Sequence, residues 1–240
     1  MELTEQQGCR RVRLPERLSG EDLGRLRDEV VRVSGDEIVV LEGSGGTFCL
    51  GGTLPPEEAG GTDAPARFGA LLAAIERSPR PVVAVVDGEA LGAGVGLAAS
   101  SDLVLASPRA RFGLPETLLG LVPAVVFPAL ARRVGPARAR LLGMGHPPLP
   151  AATALDWGLV DEVTDELEAA LRRHRRRFSR MGPRALATLK ALVADHYGAP
   201  AGYLADAEPR FRELLGGEEA RSRMARFMSG EAPWRDGEDD

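Results

Sequence analysis

Short apolar runs in the first half of the chain predict buried strands. Three such runs have strand length and are bounded by acidic, glycine or proline residues; they cover residues 36–43, 81–86 and 102–107. Continuous apolar character over so few residues is typical of strands that are covered on both faces. Residues 8–14 alternate polar and apolar positions, and this pattern predicts an edge strand.

Helical spacing of apolar residues separates these strands. Residues 18–33 and 64–78 each carry apolar residues along one helical face and predict amphipathic helices. The first helix has Ser19 or Gly20 as its predicted N-cap, followed by acidic residues that suit a helix start. The order strand, helix, strand, helix, strand predicts an α/β layer fold rather than an all-helical one.

Helical patterns dominate the chain beyond residue 123. We expect two short helices within residues 126–145 and a further helix from residue 151 that stops near Gly158. The run LVDEV after that glycine predicts a last strand. Residues 165–229 are helical in pattern, with a break predicted at the Gly-Pro pair 182–183.

Composition and charge narrow the function classes. At 240 residues the chain can build one sizeable core and needs no second domain. The formal net charge of -5 argues against general nucleic-acid binding, which uses a basic surface. No apolar run reaches the roughly 20 residues that span a bilayer, and MELTEQQGCRR lacks the apolar core of a signal peptide. Two cysteines are too few for a disulfide framework, so we expect a cytoplasmic protein with reduced thiols and no membrane or nucleic-acid partner.

Two glycine-rich turns are the first candidates for binding chemistry. One is FCLGG at residues 48–52 and the other is LGAG at residues 91–94, and each follows an apolar strand. If the two strands are neighbours, one backbone N–H from each turn can converge on a single oxygen and stabilise an oxyanion. Alternatively, the glycines only permit tight packing of helix against strand, and spacing alone favours that alternative. Neither turn fits a phosphate-binding loop, because both GxxxxGK[ST] and a strand-linked GxGxxG with a downstream acid are missing.

Glu116 is the most interesting carboxylate. It follows Pro115 in the segment FGLPE, where proline and an acid both suit the first turn of a helix. That structural role is the more common one for such a residue. If the side chain instead faces an apolar pocket, its pKa rises and it can exchange a proton near neutral pH.

The histidines do not predict a metal site. His146, His174 and His196 are scattered and show no metal-ligand spacing. His174 lies in the run RRHRRR, which predicts a solvated helix face; the alternative is a docking patch for an acidic carrier protein or for phosphate groups. No serine lies in a GxSxG elbow, so a Ser–His–Asp triad cannot be assembled from motifs.

The glycine turns, the strands beside them and the FGLPE carboxylate together resemble the enoyl-CoA hydratase/isomerase (crotonase) superfamily. The matching segments, in order, are FCLGG, PVVAVVDGEALGAGVGLAASSDLVLAS, FGLPETLLGLVP and ALDWGLVDEV. The resemblance implies an α/β fold, a crotonase-like spiral of ββα units over residues 1–165. It also implies a helical C-terminal region over residues 166–240 that mediates trimerisation and is not an independent domain.

The resemblance implies a ligand and an assembly as well. The expected substrate is an acyl thioester carried on coenzyme A or on the phosphopantetheine arm of an acyl carrier protein, with no other cofactor and no metal. The expected assembly is a homotrimer or a hexamer, and the expected protein partner is the acyl carrier protein.

Site residues follow from the matching motif positions. Leu50 and Ala93 would supply the two N–H groups of the oxyanion hole, and Glu116 would be the catalytic acid and base. The glycines expected to bind substrate are Gly51, Gly92, Gly94 and Gly96.

Two positions depart from the pattern of the family. Its hydratases usually place two glutamates around the substrate, and the first of these falls at Gly96 in this chain. Thr53 stands where an aspartate is common. We therefore do not expect a water addition that uses two glutamates.

A narrower resemblance points to one subgroup. FGLPETLLGLVPAVVFPALARRVG and PPLPAATALDWGLVDEV are similar to dehydratases of polyketide β-branching cassettes. This similarity implies dehydration of 3-hydroxy-3-methylglutaryl thioester on an acyl carrier protein to the 3-methylglutaconyl thioester. The alternatives are decarboxylation or isomerisation of an enoyl thioester in the same pocket, and a non-catalytic subunit that binds an acyl carrier.

Overall fold

Strands in two sheets form the framework of the structure, a computed structural model that describes residues 1–6, 8–32, 38–53 and 63–230. In chain order the strands are β1 (Glu2–Gln6), β2 (Cys9–Arg13), β3 (Ile38–Glu42), β4 (Thr47–Cys49), β5 (Val82–Val86), β6 (Glu89–Leu91), β7 (Leu103–Ala106), β8 (Arg111–Gly113), β9 (Leu149–Pro150) and β10 (Glu162–Val163).

Helices cover and follow these strands. They are α1 (Gly20–Val31), α2 (Ala64–Arg77), α3 (Ala93–Ser100), α4 (Phe127–Val134), α5 (Pro136–Gly143), α6 (Ala151–Trp157), α7 (Leu167–Phe178), α8 (Pro183–Tyr197), α9 (Tyr203–Gly216) and α10 (Glu218–Met228). A short 3-10 helix, Glu116–Leu119, follows β8. No helix within the described ranges is long and apolar enough to cross a membrane.

The chain winds as a spiral between the two sheets. The larger sheet has the strand order β1-β2-β3-β5-β7-β10 and the smaller has β4-β6-β8-β9. Each of the pairs β3 and β4, β5 and β6, and β7 and β8 therefore contributes one strand to each sheet before the chain moves on. All neighbours in the larger sheet are parallel except β1 and β2, and this repeated ββ step brings the turns after β4, β6 and β8 together.

The apolar runs in the sequence are strands with both faces covered. All five residues of β5 are buried, as are all four of β7. One face of the larger sheet packs on the main core beneath α1, α2 and α3, and the other packs against Ala170 and Leu171 of α7. Burial on both faces removes the alternation expected of a half-exposed strand.

Two strand predictions need correction. Residues 8–14 were expected to form an edge strand, but β2 lies between β1 and β3, and β1 is the edge. The segment around residue 48 was expected to be only a glycine-rich turn, yet Thr47–Cys49 is a strand that pairs with β6. A strand of three residues is too short to display a period of two, which explains why it left no pattern.

Helix α1 starts with a complete capping box. Ser19 Oγ accepts the Asp22 N–H at 3.2 Å, and Asp22 Oδ2 accepts the Ser19 N–H at 3.0 Å. The reciprocal bonds satisfy two backbone donors at the helix start, so the N-cap is Ser19 rather than Gly20.

The C-terminal helices are bound to the spiral at two places. Lys190 of α8 is buried, and its Nζ donates to the carbonyls of Ile75 and Arg80 at 3.2 and 3.0 Å and to Asp102 Oδ2 at 2.5 Å. Farther along, Ala220 and Met224 of α10 pack on Leu119 and Leu121. Helices α9 and α10 thus return to the segment that carries Glu116, while residues 231–240 of the predicted C-terminal region lie outside the described residues.

Candidate active site

A cavity of about 220 Å³ lies where the turns after β2, β4, β6 and β8 meet. Its wall includes both glycine turns and the 3-10 helix, and α9 and α10 close one side. Apolar side chains dominate the wall; among them are Leu18, Phe68, Val126, Phe211, Leu215 and Phe227. Apolar surroundings lower the local dielectric response, so each polar group that faces this space interacts more strongly than it would in water.

Glu116 lies in this wall at the start of the 3-10 helix. The left-handed Gly92 lies close to it, because a Cβ built on Gly92 would be 3.1 Å from Glu116 Oε1. Although the residue as a whole is half-buried, its Oε2 atom is shielded from solvent. No hydrogen-bond donor for Oε2 is found among the described residues, so this oxygen is available to a ligand.

Burial raises the pKa of the Glu116 carboxyl to about 7, against a smaller lowering by its own backbone N–H. A carboxyl with an ordinary pKa would be almost fully ionised at neutral pH. Glu116 instead exists as a mixture of acid and carboxylate near pH 7, and it can both accept and return a proton.

The second glycine turn presents Ala93 to the cavity. Ala93 is the first residue of α3, where backbone N–H groups have no acceptor within the helix. No described residue accepts its N–H, whereas the preceding Gly92 N–H donates to the Gly113 carbonyl at 2.9 Å. The first turn lies beside it, since a Cβ on Gly51 would be 3.9 Å from the Ala93 nitrogen.

Leu50 does not have the free N–H that the motif assigned to it. The Leu50 N–H donates to the Glu16 carbonyl at 2.7 Å, so in this structure it is not free to bind a thioester oxygen. Among the described residues, Gly52 offers an unbonded N–H in the same turn. The Gly51 carbonyl accepts the Leu18 N–H, and the Thr53 N–H donates to the Leu18 carbonyl. Because successive residues of extended backbone direct their N–H groups to opposite sides, the N–H of the intervening Gly52 points away from Leu18.

Gly52 also lines the cavity, and its N–H has no acceptor in the described part of the chain. The motif did not point to Gly52, because sequence alone does not reveal which amides of the turn are bonded to a neighbouring segment.

The four glycines predicted to bind substrate divide into two pairs. Gly51 and Gly92 line the cavity, with φ values of 105° and 53° that favour glycine. Gly94 and Gly96 are not among the residues that line the cavity and are buried in packing contacts. A Cβ on Gly94 would lie 2.3 Å from the Cys49 carbonyl oxygen.

Apolar side chains surround Gly96, the position at which the family's hydratases carry the first of their two glutamates. A Cβ at Gly96 would lie 3.0 Å from Phe68 Cζ and 3.1 Å from Val126 Cγ2. Phe68 and Val126 are themselves part of the cavity wall. Apolar groups therefore fill the space next to Gly96, and Glu116 is the one carboxylate of the described cavity wall.

The basic run of α7 is not close to this cavity. Phe178 at the end of α7 lies beside Ile38 and Pro81, at the amino ends of β3 and β5. The cavity, in contrast, is built from residues that follow the carboxyl ends of β2, β4, β6 and β8. Within the run, His174 Nε2 lies 2.9 Å from Glu162 Oε2, and no described group of His, Cys, Asp and Glu could hold a metal ion.

Comparison with known proteins identifies the family. The model of the enoyl-CoA hydratase/isomerase family matches residues 24–227. The chain belongs to this family. The probable enoyl-CoA hydratase EchA17 of Mycobacterium tuberculosis is 34% identical over 205 residues, or 82% of this chain and 76% of that protein. The bacillaene synthase dehydratase PksH of Bacillus subtilis is 28% identical over 208 residues, or 83% of this chain and 80% of that protein.

Solved structures of other proteins share the fold. A putative polyketide biosynthesis enoyl-CoA hydratase (pksH) of Bacillus subtilis has a TM-score of 0.86 at 21% identity, covering 97% of this chain and 98% of that chain. AtuE of Pseudomonas aeruginosa has a TM-score of 0.75 at 34% identity, with the same coverage of 97% and 98%. The predicted crotonase-like spiral is confirmed, as is the prediction of a lyase of the hydratase and dehydratase type.

The raised pKa of Glu116 makes stability depend on pH in a definite direction. The folded state holds the proton more tightly than the unfolded chain, so the free energy of unfolding falls as pH rises from 4.5 to about 7. Substituting Glu116→Gln should remove this fall, worth about 3 kcal/mol when complete. Urea unfolding of both proteins at about pH 4, pH 6 and pH 8 measures it. A constant difference between them across that range would contradict the raised pKa.

Gly92→Ala should lower kcat/KM much more than the control substitution Gly45→Ala does. The Cβ added at Gly92 would push against Glu116 Oε1, and a displacement of about 1 Å at such a group costs roughly a hundredfold in rate. Gly45→Ala is the matched control, because Gly45 has a similar φ of 62° and no neighbour within 4 Å of the added Cβ. Both variants should lose stability through backbone strain, and Gly92→Ala should lose more, because Gly92 has a ψ of -113° that L residues rarely combine with a positive φ. Equal kcat/KM values for the two would argue against the Gly92–Glu116 contact.

Proposed function

We propose that the protein dehydrates a 3-hydroxyacyl thioester, with 3-hydroxy-3-methylglutaryl on an acyl carrier protein as the substrate. The observation that carries this proposal is one shielded carboxyl with a pKa of about 7 in a cavity that also holds two unbonded backbone N–H groups. The likeness to PksH, a dehydratase of bacillaene synthesis, supports the choice of reaction and of a polyketide context.

Gly52 and Ala93 polarise the thioester. Their N–H groups donate to the thioester oxygen, and the negative charge that develops on this oxygen as the α-proton leaves strengthens both bonds. Loss of one such donor in comparable sites costs about 3–4 kcal/mol of transition-state stabilisation. The pair therefore makes the α-proton acidic enough for a carboxylate to remove.

Glu116 serves both proton transfers. As carboxylate it takes the α-proton, and the electron pair of the C–H bond forms the enolate. The enolate then expels the β-hydroxyl group, which leaves as water with the proton that Glu116 returns. Glu116 ends as a carboxylate, so one residue with a pKa near 7 completes the cycle without a second glutamate.

The acyl group would be delivered on a phosphopantetheine arm or on coenzyme A, and neither resides permanently in the protein. A homotrimer or hexamer accords with the apolar stripe on α8, where Leu189, Leu192, Val193 and Tyr197 are exposed at helical spacing. Apolar side chains repeated along one face of a surface helix are typical of a contact between subunits.

Decarboxylation of an enoyl thioester is the second candidate. The apolar filling beside Gly96 favours it, because loss of carbon dioxide needs the oxyanion hole more than it needs a base. A non-catalytic carrier-binding subunit is the third, and the shielded, unpaired Glu116 Oε2 argues against it.

Mass spectrometry of a carrier protein loaded with the 3-hydroxy-3-methylglutaryl group distinguishes the candidates. Dehydration predicts loss of water, and Glu116→Gln should slow it by roughly 10²–10⁴-fold. Glu89→Gln, which alters an exposed glutamate on neighbouring β6, is the control and should retain full activity. Loss of carbon dioxide from the enoyl form would support the decarboxylase, and binding without conversion would support the non-catalytic subunit.

A further inference from the structure

Arg17 is the one cation in the described cavity wall. Apart from Arg17 and Glu116, every described residue that lines the cavity is uncharged, and most are apolar. A guanidinium is costly to place beside apolar groups unless it has a partner, so a half-buried arginine in this wall calls for an explanation.

The guanidinium is held in place by neutral groups. Nη1 donates to the carbonyls of Leu50 and Gly52 at 3.3 and 3.4 Å. The guanidinium carbon also lies 5.9 Å from the centre of the Phe227 ring of α10. These contacts orient the charge without neutralising it.

No described carboxylate pairs with Arg17. It forms no salt bridge within the described residues, and the Glu116 pKa is not lowered by a positive charge. The field of Arg17 does reach the Cys49 thiol, where it opposes the effect of burial that raises the pKa to about 11. The cation is thus available to an anionic group that enters the cavity.

The distance from the Arg17 guanidinium to the expected position of the thioester oxygen matches the length of the acyl group. Nη1 lies 3.4 Å from the Gly52 oxygen. The nitrogen and oxygen of one residue are at most about 3.7 Å apart, and a bound thioester oxygen lies about 3 Å from the donor nitrogen. Nη1 is therefore within about 10 Å of the thioester oxygen. The distal carboxylate of a five-carbon diacid extends about 6 Å from that oxygen and needs about 3 Å more for its hydrogen bond.

The phosphate of the pantetheine arm fits this position less well. It is separated from the thioester sulfur by about 13 bonds, or roughly 15 Å when the arm is extended. We propose that Arg17 binds the terminal carboxylate of the acyl group and makes the enzyme selective for dicarboxylic 3-hydroxyacyl thioesters. This inference rests on the proposed function and names the substrate class that the cavity accepts.

The test compares the 3-hydroxy-3-methylglutaryl thioester with its distal monomethyl ester, which has nearly the same shape and no charge. Wild-type protein should prefer the free acid by at least about tenfold in kcat/KM, because a charged, desolvated pair is lost with the ester. In Arg17→Met this preference should disappear, mainly through a rise in KM for the free acid. Arg17→Lys should keep part of it, since the charge remains but the planar fork is lost.

A comparison of two carriers shows whether Arg17 binds the acyl carboxylate or the phosphate of the pantetheine arm. Both acyl groups are tested on N-acetylcysteamine, which has no phosphate, and on a phosphopantetheinylated carrier protein. The proposal expects the same effect of Arg17→Met on both carriers. An Arg17→Met defect that is equal for acid and ester and occurs only on the phosphopantetheine carrier would overturn it in favour of phosphate binding.

Failure of the proposed reaction would leave the inference testable. If wild-type protein dehydrates neither acyl group, the reaction assignment fails. The role of Arg17 is then tested by measuring, with calorimetry, the affinities of wild type and Arg17→Met for the acid and the ester. Tighter binding of the acid by wild type alone supports the role of Arg17. Equal affinities for acid and ester contradict it, with thermal melting used to verify that both proteins are folded.

Discussion

The candidate site depends on how closely helix α3 approaches strand β4. A Cβ on Gly94 would lie 2.3 Å from the Cys49 carbonyl oxygen, so only glycine allows this approach. Together with the parallel pairing of β4 and β6, the contact holds the N-terminus of α3 beside the turn after β4. Ala93 and Gly52 therefore line the same cavity although they are far apart in the sequence.

The apolar wall gives the cavity its chemistry. It raises the pKa of Glu116 to about 7 and leaves Arg17 without a carboxylate partner among the described residues. It also fills the space beside Gly96 with Phe68 and Val126, where the family pattern has the first of its two glutamates. In the proposed dehydration the carboxyl, the pair of backbone donors and the cation would act on three different parts of the substrate.

The sequence predicted those features that repeat over many residues. The apolar runs of β3, β5 and β7 and the amphipathic helices α1 and α2 were predicted from their spacing and are present. The strands β4 and β6 escaped notice because three residues carry no period. The free amide of Gly52 and the position of Arg17 depend on contacts between distant segments: the Leu50 amide is bonded to Glu16, and Arg17 lies in the cavity wall. Local sequence does not encode such contacts directly.

A crystal structure of the Glu116→Gln variant with bound 3-hydroxy-3-methylglutaryl thioester tests the account most directly. The account predicts that the thioester oxygen lies within about 3.2 Å of both the Gly52 and the Ala93 nitrogen, with the side chain of residue 116 facing the α-carbon. The Leu50 N–H should still donate to Glu16 in that complex. A thioester oxygen bound by Leu50, or one bound away from both turns, would contradict the account.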